Sequence, residues 1–388
     1  MKSKATGDLA MIKKMNTAIV LDTIIAQAPL SRAQISEQTG LNKATVSSLV
    51  QDLIDSRLVV ENGPGQSSGG RKPVMLLFNS SAGYAIGIDL GVNYIRGVLT
   101  DLEGSVLQER ELALQTHQLH DVLPLLTACI KDLISLMPDS PYGVVGIGIG
   151  VPGIVSDQGT ILFAPNLEWQ EVPLQSMLQQ QFNIPVTIDN EANAGAQGEQ
   201  KYGAGRNITH QIYVSVGIGI GTGIILNREL YKGASGFSGE LGHLSIDLNG
   251  KPCRCGNQGC WELYASENAL LEQAAELGYS DLDALLAAAA AGEEAVLVLF
   301  RRIGECLGVG IANIVNVFNP DVVIIGNRMS RAEAWINEAV QETVARRTLP
   351  QHFSRMRVLF AELSDQSAVR GAAYYAINQF LGRIKRGD

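Results

Sequence analysis

The sequence predicts an α/β protein with a winged helix-turn-helix module at its N-terminal end and a cysteine-rich metal loop in its second half. Two short helical stretches meet at Gly40 and are followed by two strand patterns. From Gly83 onward, buried strand patterns alternate with helical stretches. Three of the five cysteines fall within eight residues. At 388 residues, the chain is long enough for two or three domains.

The cysteine-rich loop has the ligand set of a structural zinc site. Three thiolates and one imidazole complete a tetrahedral shell that leaves no position for water. The predicted ligands of one zinc ion per chain are His243, Cys253, Cys255 and Cys260. Buried cysteines beside a loop histidine, or a disulfide, are the alternatives. Three clustered cysteines cannot all pair with one another, and nothing else in the sequence indicates secretion.

Two glutamates, Glu240 and Glu262, bracket this loop. Carboxylates bind neighbouring sugar hydroxyls well, and a metal-bound His243 would keep one N–H to donate. Most glutamates, however, are solvated surface residues. Spacing alone leaves both interpretations open.

Charge divides the chain into a basic part and an acidic part. The net charge is −9, but residues 1–78 hold nine Lys and Arg against six Asp and Glu, a balance of +3. The remaining 21 basic and 33 acidic residues give −12. A basic module on an acidic body favours nucleic acid as a partner. No signal peptide or membrane span is indicated, and free thiols with a zinc loop predict the cytoplasm.

The N-terminal module is predicted to contain three helices. The first covers 13–27, and its apolar spacing predicts a buried face. That face comprises Met15, Ala18, Ile19, Leu21 and Ile25. Ser31 caps a second helix with Gln34 at the capping-box position, and Gly40 follows its end. Asn42 caps a third helix, whose predicted buried residues are Val46, Leu49, Val50, Leu53 and Ile54.

The third helix and the following hairpin are predicted to contact double-stranded DNA. Short polar or basic groups near the two caps and the start of the third helix suit a major groove. These candidates are Ser31, Asn42, Lys43, Thr45, Ser47 and Ser48. Between the two strand patterns, Arg71 and Lys72 end a glycine-rich tip that suits a minor groove. A structural three-helix unit and a plain linker are the alternatives.

The second half of the chain resembles a known family. Glu240-Leu-Gly-His243 followed by Cys253-Arg-Cys-Gly-Asn-Gln-Gly-Cys260 resembles the signature of the ROK family of repressors, open reading frames and kinases. Asp89-Leu-Gly91 and the glycine ladder 217–223 look like that family's two phosphate hairpins on the actin/hexokinase fold. With the N-terminal module, Gly-Gly-Arg71-Lys72-Pro73 and Asp189–Gly195, the chain looks most like the family's repressors.

The resemblance implies a sugar site and a domain division. The implied contacts to sugar hydroxyls are Gly153, Asn166, Asn190, Glu191, Glu240, His243 and Glu262. The implied domains are 1–78, which binds DNA; 79–190, completed by the C-terminal helix 369–388; and 191–368, which holds the zinc loop and dimer-forming helices. Two α/β domains of this kind would close on a cleft.

The kinase pattern of the family is broken at four places, which predicts a protein that is not an enzyme and uses no ATP. Val92 and Asn93 stand where the first hairpin has Gly-Thr, and Ile218 stands where the second loop has Thr. Asn327 replaces a glycine beside which adenosine lies, and Glu191 replaces the Asp that acts as general base. Phosphate loops need open backbone N–H groups, which bulky side chains obstruct.

The sequence therefore predicts a sugar-responsive repressor that binds a palindromic operator as a homodimer. Glu191 is one methylene longer than Asp and is predicted to crowd the C6 group of a hexose. The expected inducer is thus a pentose, xylose. The rival is a ROK sugar kinase that carries a DNA-binding module. A scaffolding role has no support in the sequence.

Overall fold

The computed structural model describes residues 9–64 and 72–387. The N-terminal module has three helices and a small antiparallel sheet of order β1-β3-β2. Its elements are α1 (Leu9–Gln27), β1 (Leu30–Ser31), α2 (Arg32–Thr39), α3 (Lys43–Asp55), β2 (Val59–Pro64) and β3 (Val74–Phe78). This arrangement is the predicted winged helix-turn-helix.

The helix boundaries of the module follow the predicted caps. The Ser31 hydroxyl accepts a hydrogen bond from the backbone of Gln34, whose side chain accepts one from the Ser31 backbone. Gly40 ends α2 in the left-handed region, at φ 72°. The Asn42 side chain accepts from the backbone N–H of Thr45 at 2.8 Å. Of the predicted buried face of α3, Val46, Leu49, Val50 and Leu53 are buried, whereas Ile54 is half-buried.

The predicted buried face of α1 was wrong in part. Met15 and Ile19 are 57% and 42% exposed, and the buried residues of the helix are Val20, Leu21 and Ile24. The helix is apolar on most of its circumference, so its periodicity did not identify the face that packs. The buried face is the one that contacts α2, α3 and β3 of the module and α13, which lies at the other end of the chain.

The first α/β unit is a five-stranded sheet of order β11-β7-β4-β5-β6. Strands β11, β7 and β4 run parallel to one another, while β4, β5 and β6 pair antiparallel. Its elements are β4 (Tyr84–Leu90), β5 (Tyr94–Asp101), β6 (Val106–Ala113), α4 (Leu119–Ser135), β7 (Val144–Val151), α5 (Leu174–Phe182) and β11 (Val186–Asn190). A small antiparallel sheet is inserted after β7, formed by β8 (Ile154–Val155), β9 (Ile161–Ala164) and β10 (Trp169–Val172).

The second α/β unit is a five-stranded sheet of order β14-β13-β12-β15-β16. Its strands are β12 (Gln211–Val216), β13 (Ile220–Leu226), β14 (Glu229–Leu230), β15 (Val322–Gly326) and β16 (Arg357–Phe360). Its helices are α6 (Glu191–Tyr202), α7 (Glu262–Ala265), α8 (Glu267–Ala274), α9 (Leu282–Ala290), α10 (Glu294–Phe318), α11 (Glu333–Arg347) and α12 (Pro350–Phe353). Because β13 begins at Ile220, residues 220–223 of the glycine ladder belong to this strand.

The last helix, α13 (Ser367–Arg386), crosses back to the first sheet. Glycines make this close approach possible, because a Cβ on Gly148 would lie 1.8 Å from the Ala372 carbonyl oxygen. On its other side α13 lies against α6, where a Cβ on Gly371 would lie 1.7 Å from the Ala194 carbonyl oxygen. Two helices that touch backbone to backbone cannot shift independently.

The winged helix and the body share one hydrophobic core. It combines side chains from the module, the first sheet and α13, among them Ile24, Leu53, Phe78, Ala85, Val145, Ile377 and Phe380. The Tyr142 ring packs edge-on against Phe380 with centroids 5.0 Å apart. Its hydroxyl donates to the carbonyl oxygen of Ser56, at the end of α3, at 2.9 Å. The Lys385 ammonium lies 2.5 Å from the Asp22 carboxylate on α1.

In the described part of the chain, none of the helices combines the length and apolar character that crossing a bilayer requires.

Candidate functional site

A polar pocket lies where the first sheet's parallel strands end and the second α/β unit begins. One side is formed by the turn after β7 and the start of α6, and the other by β13 and the segment that follows β14. The residues that line it include Gly153, Asp189, Asn190, Thr222, Phe237 and Glu240. Three of the predicted sugar contacts, Gly153, Asn190 and Glu240, are therefore brought together.

Asn190 is held in place by its own hydrogen bonds. Its side-chain oxygen caps α6 by accepting from the Ala192 N–H at 2.8 Å. Its amide nitrogen donates to the carbonyl oxygen of Gly153 at 2.9 Å. Gly153 has φ 144°, and a Cβ there would lie 2.5 Å from the Phe163 carbonyl oxygen. The sequence therefore needs glycine at this turn, and the turn fixes the amide of Asn190.

Glu191 points towards the second sheet and is not among the residues that line the pocket. Its carboxylate accepts hydrogen bonds from the Ser215 hydroxyl at 2.7 Å and from the Asn327 amide at 3.1 Å. Burial raises the pKa of Glu191, and these two hydrogen bonds oppose the rise. These contacts hold the carboxylate of Glu191 against the second sheet.

The remaining predicted sugar contacts are not among the residues that line the pocket. Asn166 is half-buried in the turn between β9 and β10. Glu262 stands beside the cysteine loop, with Oε1 3.4 Å from both His243 Nδ1 and Cys253 Sγ. His243 Nε2 is turned to the other side, 3.9 Å from Glu240.

His243, Cys253, Cys255 and Cys260 form a cluster whose ligand atoms all lie within 4.8 Å of one another. Nδ1 of His243 is 3.8 Å from Cys253 Sγ, and Cys255 Sγ is 3.7 Å from Cys260 Sγ. Two glycines between the cysteines have left-handed backbone angles, with Gly256 at φ 91° and Gly259 at φ 68°. Four soft or borderline donors at this spacing can bind a metal ion. Nδ1 faces the cysteines, so Nε2 is the nitrogen left free.

The glycine ladder is covered by side chains. The Asn327 amide nitrogen lies 3.1 Å from where a Cβ of Gly217 would stand, and it donates to Ser215 at 2.9 Å. Glu262 Oε2 lies 2.8 Å from the corresponding position at Gly219. The side chains of Glu262 and Asn327 therefore occupy space over a glycine backbone of the kind that binds phosphate.

A second buried carboxylate, Asp89, lies at the end of β4. Tyr94 donates to its Oδ2 at 2.8 Å, whereas Oδ1 has no hydrogen-bond partner. Burial, with a smaller contribution from the charge of Glu191, raises the pKa of Asp89 from 3.8 to about 7. Burial removes water from a carboxylate and so favours its neutral form.

This pKa has a consequence for stability. A carboxyl group with a raised pKa destabilises the fold as it ionises, so the cost begins near its ordinary pKa of 3.8 and is complete above about 7. Asp89→Asn keeps an acceptor for Tyr94 and cannot ionise. We expect it to raise the melting temperature by a few degrees at about pH 8 and to change it little at about pH 4. Equal effects at both pH values in calorimetric scans would contradict this assignment.

Most of the predicted DNA-binding residues at the start of α3 are exposed. Asn42, Lys43, Ser47 and Ser48 are exposed, and Thr45 is half-buried. Lys72 is exposed at the base of the wing, while Arg71 lies outside the described residues. Ser31 does not fit this group, because it is 4% exposed and its hydroxyl is used in the cap of α2.

Sequence reasoning missed Lys232, which follows β14. Its ammonium lies 2.5 Å from the carboxylate of Asp189, which belongs to β11 of the first sheet. Asp189 also accepts from the backbone N–H of Asn190 at 2.8 Å and from the Asn193 amide at 3.0 Å. The only local signal is the spacing of Gly233, Gly236 and Gly239 before Glu240. Such spacing predicts a tightly turning loop, but it does not identify Asp189 as the partner of Lys232.

Comparison with known proteins covers nearly the whole chain. The ROK family model matches residues 85–379, and the MarR family model matches residues 14–66. The chain is 44% identical over 383 residues to a xylose repressor of Bacillus spizizenii, covering 98% of this chain and 99% of the relative.

Solved structures give the same fold. A ROK family transcriptional regulator, described as a homologue of the E. coli MLC protein, has a TM-score of 0.82 at 28% identity and covers 97% of this chain and 99% of its own. A ROK glucokinase from Streptomyces griseus has a TM-score of 0.68 at 30% identity and covers 75% of this chain and 98% of its own. The predicted winged helix followed by an actin/hexokinase-like body is confirmed, and the chain belongs to the ROK family.

Proposed function

We propose that this protein is a sugar-responsive transcriptional repressor. Its winged helix binds a palindromic DNA operator as a homodimer in the cytoplasm, and xylose bound in the pocket releases the operator. The observation that carries this proposal is that the winged helix shares one hydrophobic core with a body of the sugar-kinase fold. In that body, side chains cover the glycine backbone at which a kinase would bind phosphate. The 44% identity to a xylose repressor supports the choice of inducer.

The body is suited to binding a sugar and not to phosphorylating it. Asn327 and Glu262 stand over the glycine ladder, and Glu191 is bound by Ser215 and Asn327 instead of facing the pocket. A general base must lie within hydrogen-bond reach of the hydroxyl that it deprotonates. Two relatives that are named as repressors, of xylose and of N-acetylglucosamine, support the same conclusion.

The cluster fits a structural zinc ion, held by one imidazole nitrogen and three thiolates. A closed shell of this kind supplies folding energy and no open position for chemistry. His243 Nε2 would then donate to a sugar hydroxyl, and Glu240, Asn190 and Glu262 would complete the polar contacts. The number of donors, four, and their spacing match a structural zinc site, which supports this assignment.

The route from pocket to DNA runs along two helices. Asn190 caps α6, which lies against α13 backbone to backbone, and α13 contributes Ile377 and Phe380 to the core shared with the winged helix. A sugar that draws the two α/β units together would displace α6 and, with it, the module. In a dimer this displacement changes the spacing of two recognition helices, for which a coupling of about 1–3 kcal/mol is enough.

Footprinting of the DNA upstream of neighbouring genes, with and without sugars, would identify the operator. Titration of that DNA should then show release by xylose and not by glucose. In a parallel assay, ATP, magnesium and a panel of sugars should give no sugar phosphate above background. Release by no sugar, or turnover at ordinary kinase rates of about 1–100 per second, would overturn the proposal.

Lys43, exposed at the start of α3, provides a test of the DNA-binding face. Lys43→Ala should weaken operator binding by roughly 10- to 100-fold and leave xylose affinity unchanged. If Lys43 contacts a phosphate, the slope of log affinity against log salt should fall by about one. Lys131→Ala, an equal charge change on α4, is the control. Equal operator affinity in wild type and Lys43→Ala would contradict the placement.

A further inference from the structure

One wall of the pocket is a loop that we call the strap, residues 231–239. It begins where the Tyr231 N–H donates to the Ile224 carbonyl on β13 at 2.8 Å. It closes on itself, since Ser238 donates through its N–H to the Lys232 carbonyl at 3.1 Å and through its hydroxyl to the Tyr231 carbonyl at 2.6 Å. The strap is therefore a preformed loop anchored on the second α/β unit.

The strap reaches across the pocket. Gly236, Phe237, Ser238 and Gly239 all line it, and Glu240 follows directly. Gly239 has φ 101°, and a Cβ there would lie 2.3 Å from the Thr222 carbonyl oxygen, so its backbone lies directly against β13. Phe237, 41% exposed, lies at the mouth. The position of Glu240 relative to a bound sugar therefore depends on the strap.

A single ion pair joins the strap to the first α/β unit among the described residues. Lys232 meets Asp189, which is 9% exposed in its side chain, while Lys232 is 40% exposed. The same carboxylate accepts from the N–H of Asn190. One acidic group thus fixes both the strap and the residue that caps α6 on the opposite wall.

We infer that Lys232 is a positioning residue for the inducer: its ion pair with Asp189 holds the strap across the two α/β units and so sets Glu240 and Asn190 on opposite sides of one sugar ring. The inference rests on the proposed function. Lys232 does not line the pocket itself, so it acts through Asp189 and the strap. Loss of the ion pair would let the strap open, and a bound sugar would leave faster.

The ion pair between Lys232 and Asp189 should also make inducer affinity depend on salt concentration. A pentose is neutral, so its direct contacts respond weakly to ionic strength. A partly exposed ion pair is screened as salt rises, because the Debye length falls from about 10 Å at 0.1 M to about 3 Å at 1 M. Inducer affinity of the wild type should therefore fall with salt, and this dependence should disappear when Lys232 is neutral.

The experiment compares xylose binding by calorimetry and dissociation by stopped flow in full-length variants. Lys232→Met should weaken binding by roughly five- to tenfold, mainly through faster dissociation, and should remove the salt dependence. Lys232→Arg should stay within about twofold of wild type, because it keeps the cation. Lys131→Met is the matched control on α4 and should behave as wild type. Operator affinity without sugar should be unchanged in all three.

Each outcome has a distinct meaning. If Lys232→Met binds xylose as tightly as the wild type, or keeps its salt dependence, the inference is overturned while the proposed function stands. If Lys232→Met also loses operator binding in the absence of sugar, Lys232 supports the fold and not the inducer, which overturns it too. If the wild type binds no pentose, the proposed function fails first and the inference fails with it.

Discussion

Cys255→Ser is expected to abolish the response to inducer and to leave binding to the operator intact. Cys255 is the exposed member of the cluster, so the substitution removes a ligand without opening a cavity. A serine hydroxyl does not replace a thiolate at a zinc site, and apparent metal-binding free energies of about 10–16 kcal/mol in small zinc domains show how much folding can depend on one ion. Without the ion, the loop around His243 loses its anchor beside the pocket.

Metal analysis should therefore find about one zinc per chain in the wild type and almost none in Cys255→Ser. Operator titrations with xylose supply the second measurement. Cys306→Ser is the control, because Cys306 is a partly buried cysteine of α10 outside the cluster. A metal-free Cys255→Ser protein with a full inducer response would contradict the assignment.

Phe380→Ala is expected to destabilise the winged helix and the body together. Phe380 is 6% exposed and lies in the core that joins α13, the first sheet and the module. Truncation of a buried phenylalanine costs about 3–5 kcal/mol, which is a large part of the stability of a typical domain. The edge-on contact with Tyr142 is lost as well, and with it the support for the hydrogen bond to the end of α3.

Denaturant unfolding followed by circular dichroism and by operator binding should show one transition, shifted to lower denaturant for both signals. Phe353→Ala is the matched control, since Phe353 on α12 is 38% exposed and should change the midpoint little. A module that loses operator binding while the unfolding of the body stays at the wild-type midpoint would contradict a shared core.

Features that depend on local hydrogen bonds or on ligand chemistry were predicted from the sequence. The capping box of Ser31 and Gln34 is complete within four residues, and Gly40 and Asn42 act on their nearest neighbours. The metal cluster is similar, because the sequence already places four suitable donors within a short loop. Here the chemistry of neighbouring residues specifies the structure without information from the rest of the chain.

Features that depend on distant partners were not predicted. The face of α1 that is buried is determined by its contacts with α2, α3 and β3 and with α13, more than 300 residues later, and so Met15 and Ile19 were assigned to the wrong side. The direction of the Glu191 side chain is set by Ser215 and Asn327, and no length argument about its methylene group contains that information. Lys232 was missed for the same reason, since its partner lies on another sheet.

The common core also limits how this protein can be re-engineered. Exchanging residues 1–78 for the DNA-reading part of another regulator would place a foreign surface against Val145, Ile377 and Phe380. Such a chimera would leave a cavity or a clash at the seam unless the matching face of α13 is transplanted with it. Operator preference and the C-terminal helix are therefore expected to be inherited as a pair, although they lie at opposite ends of the sequence.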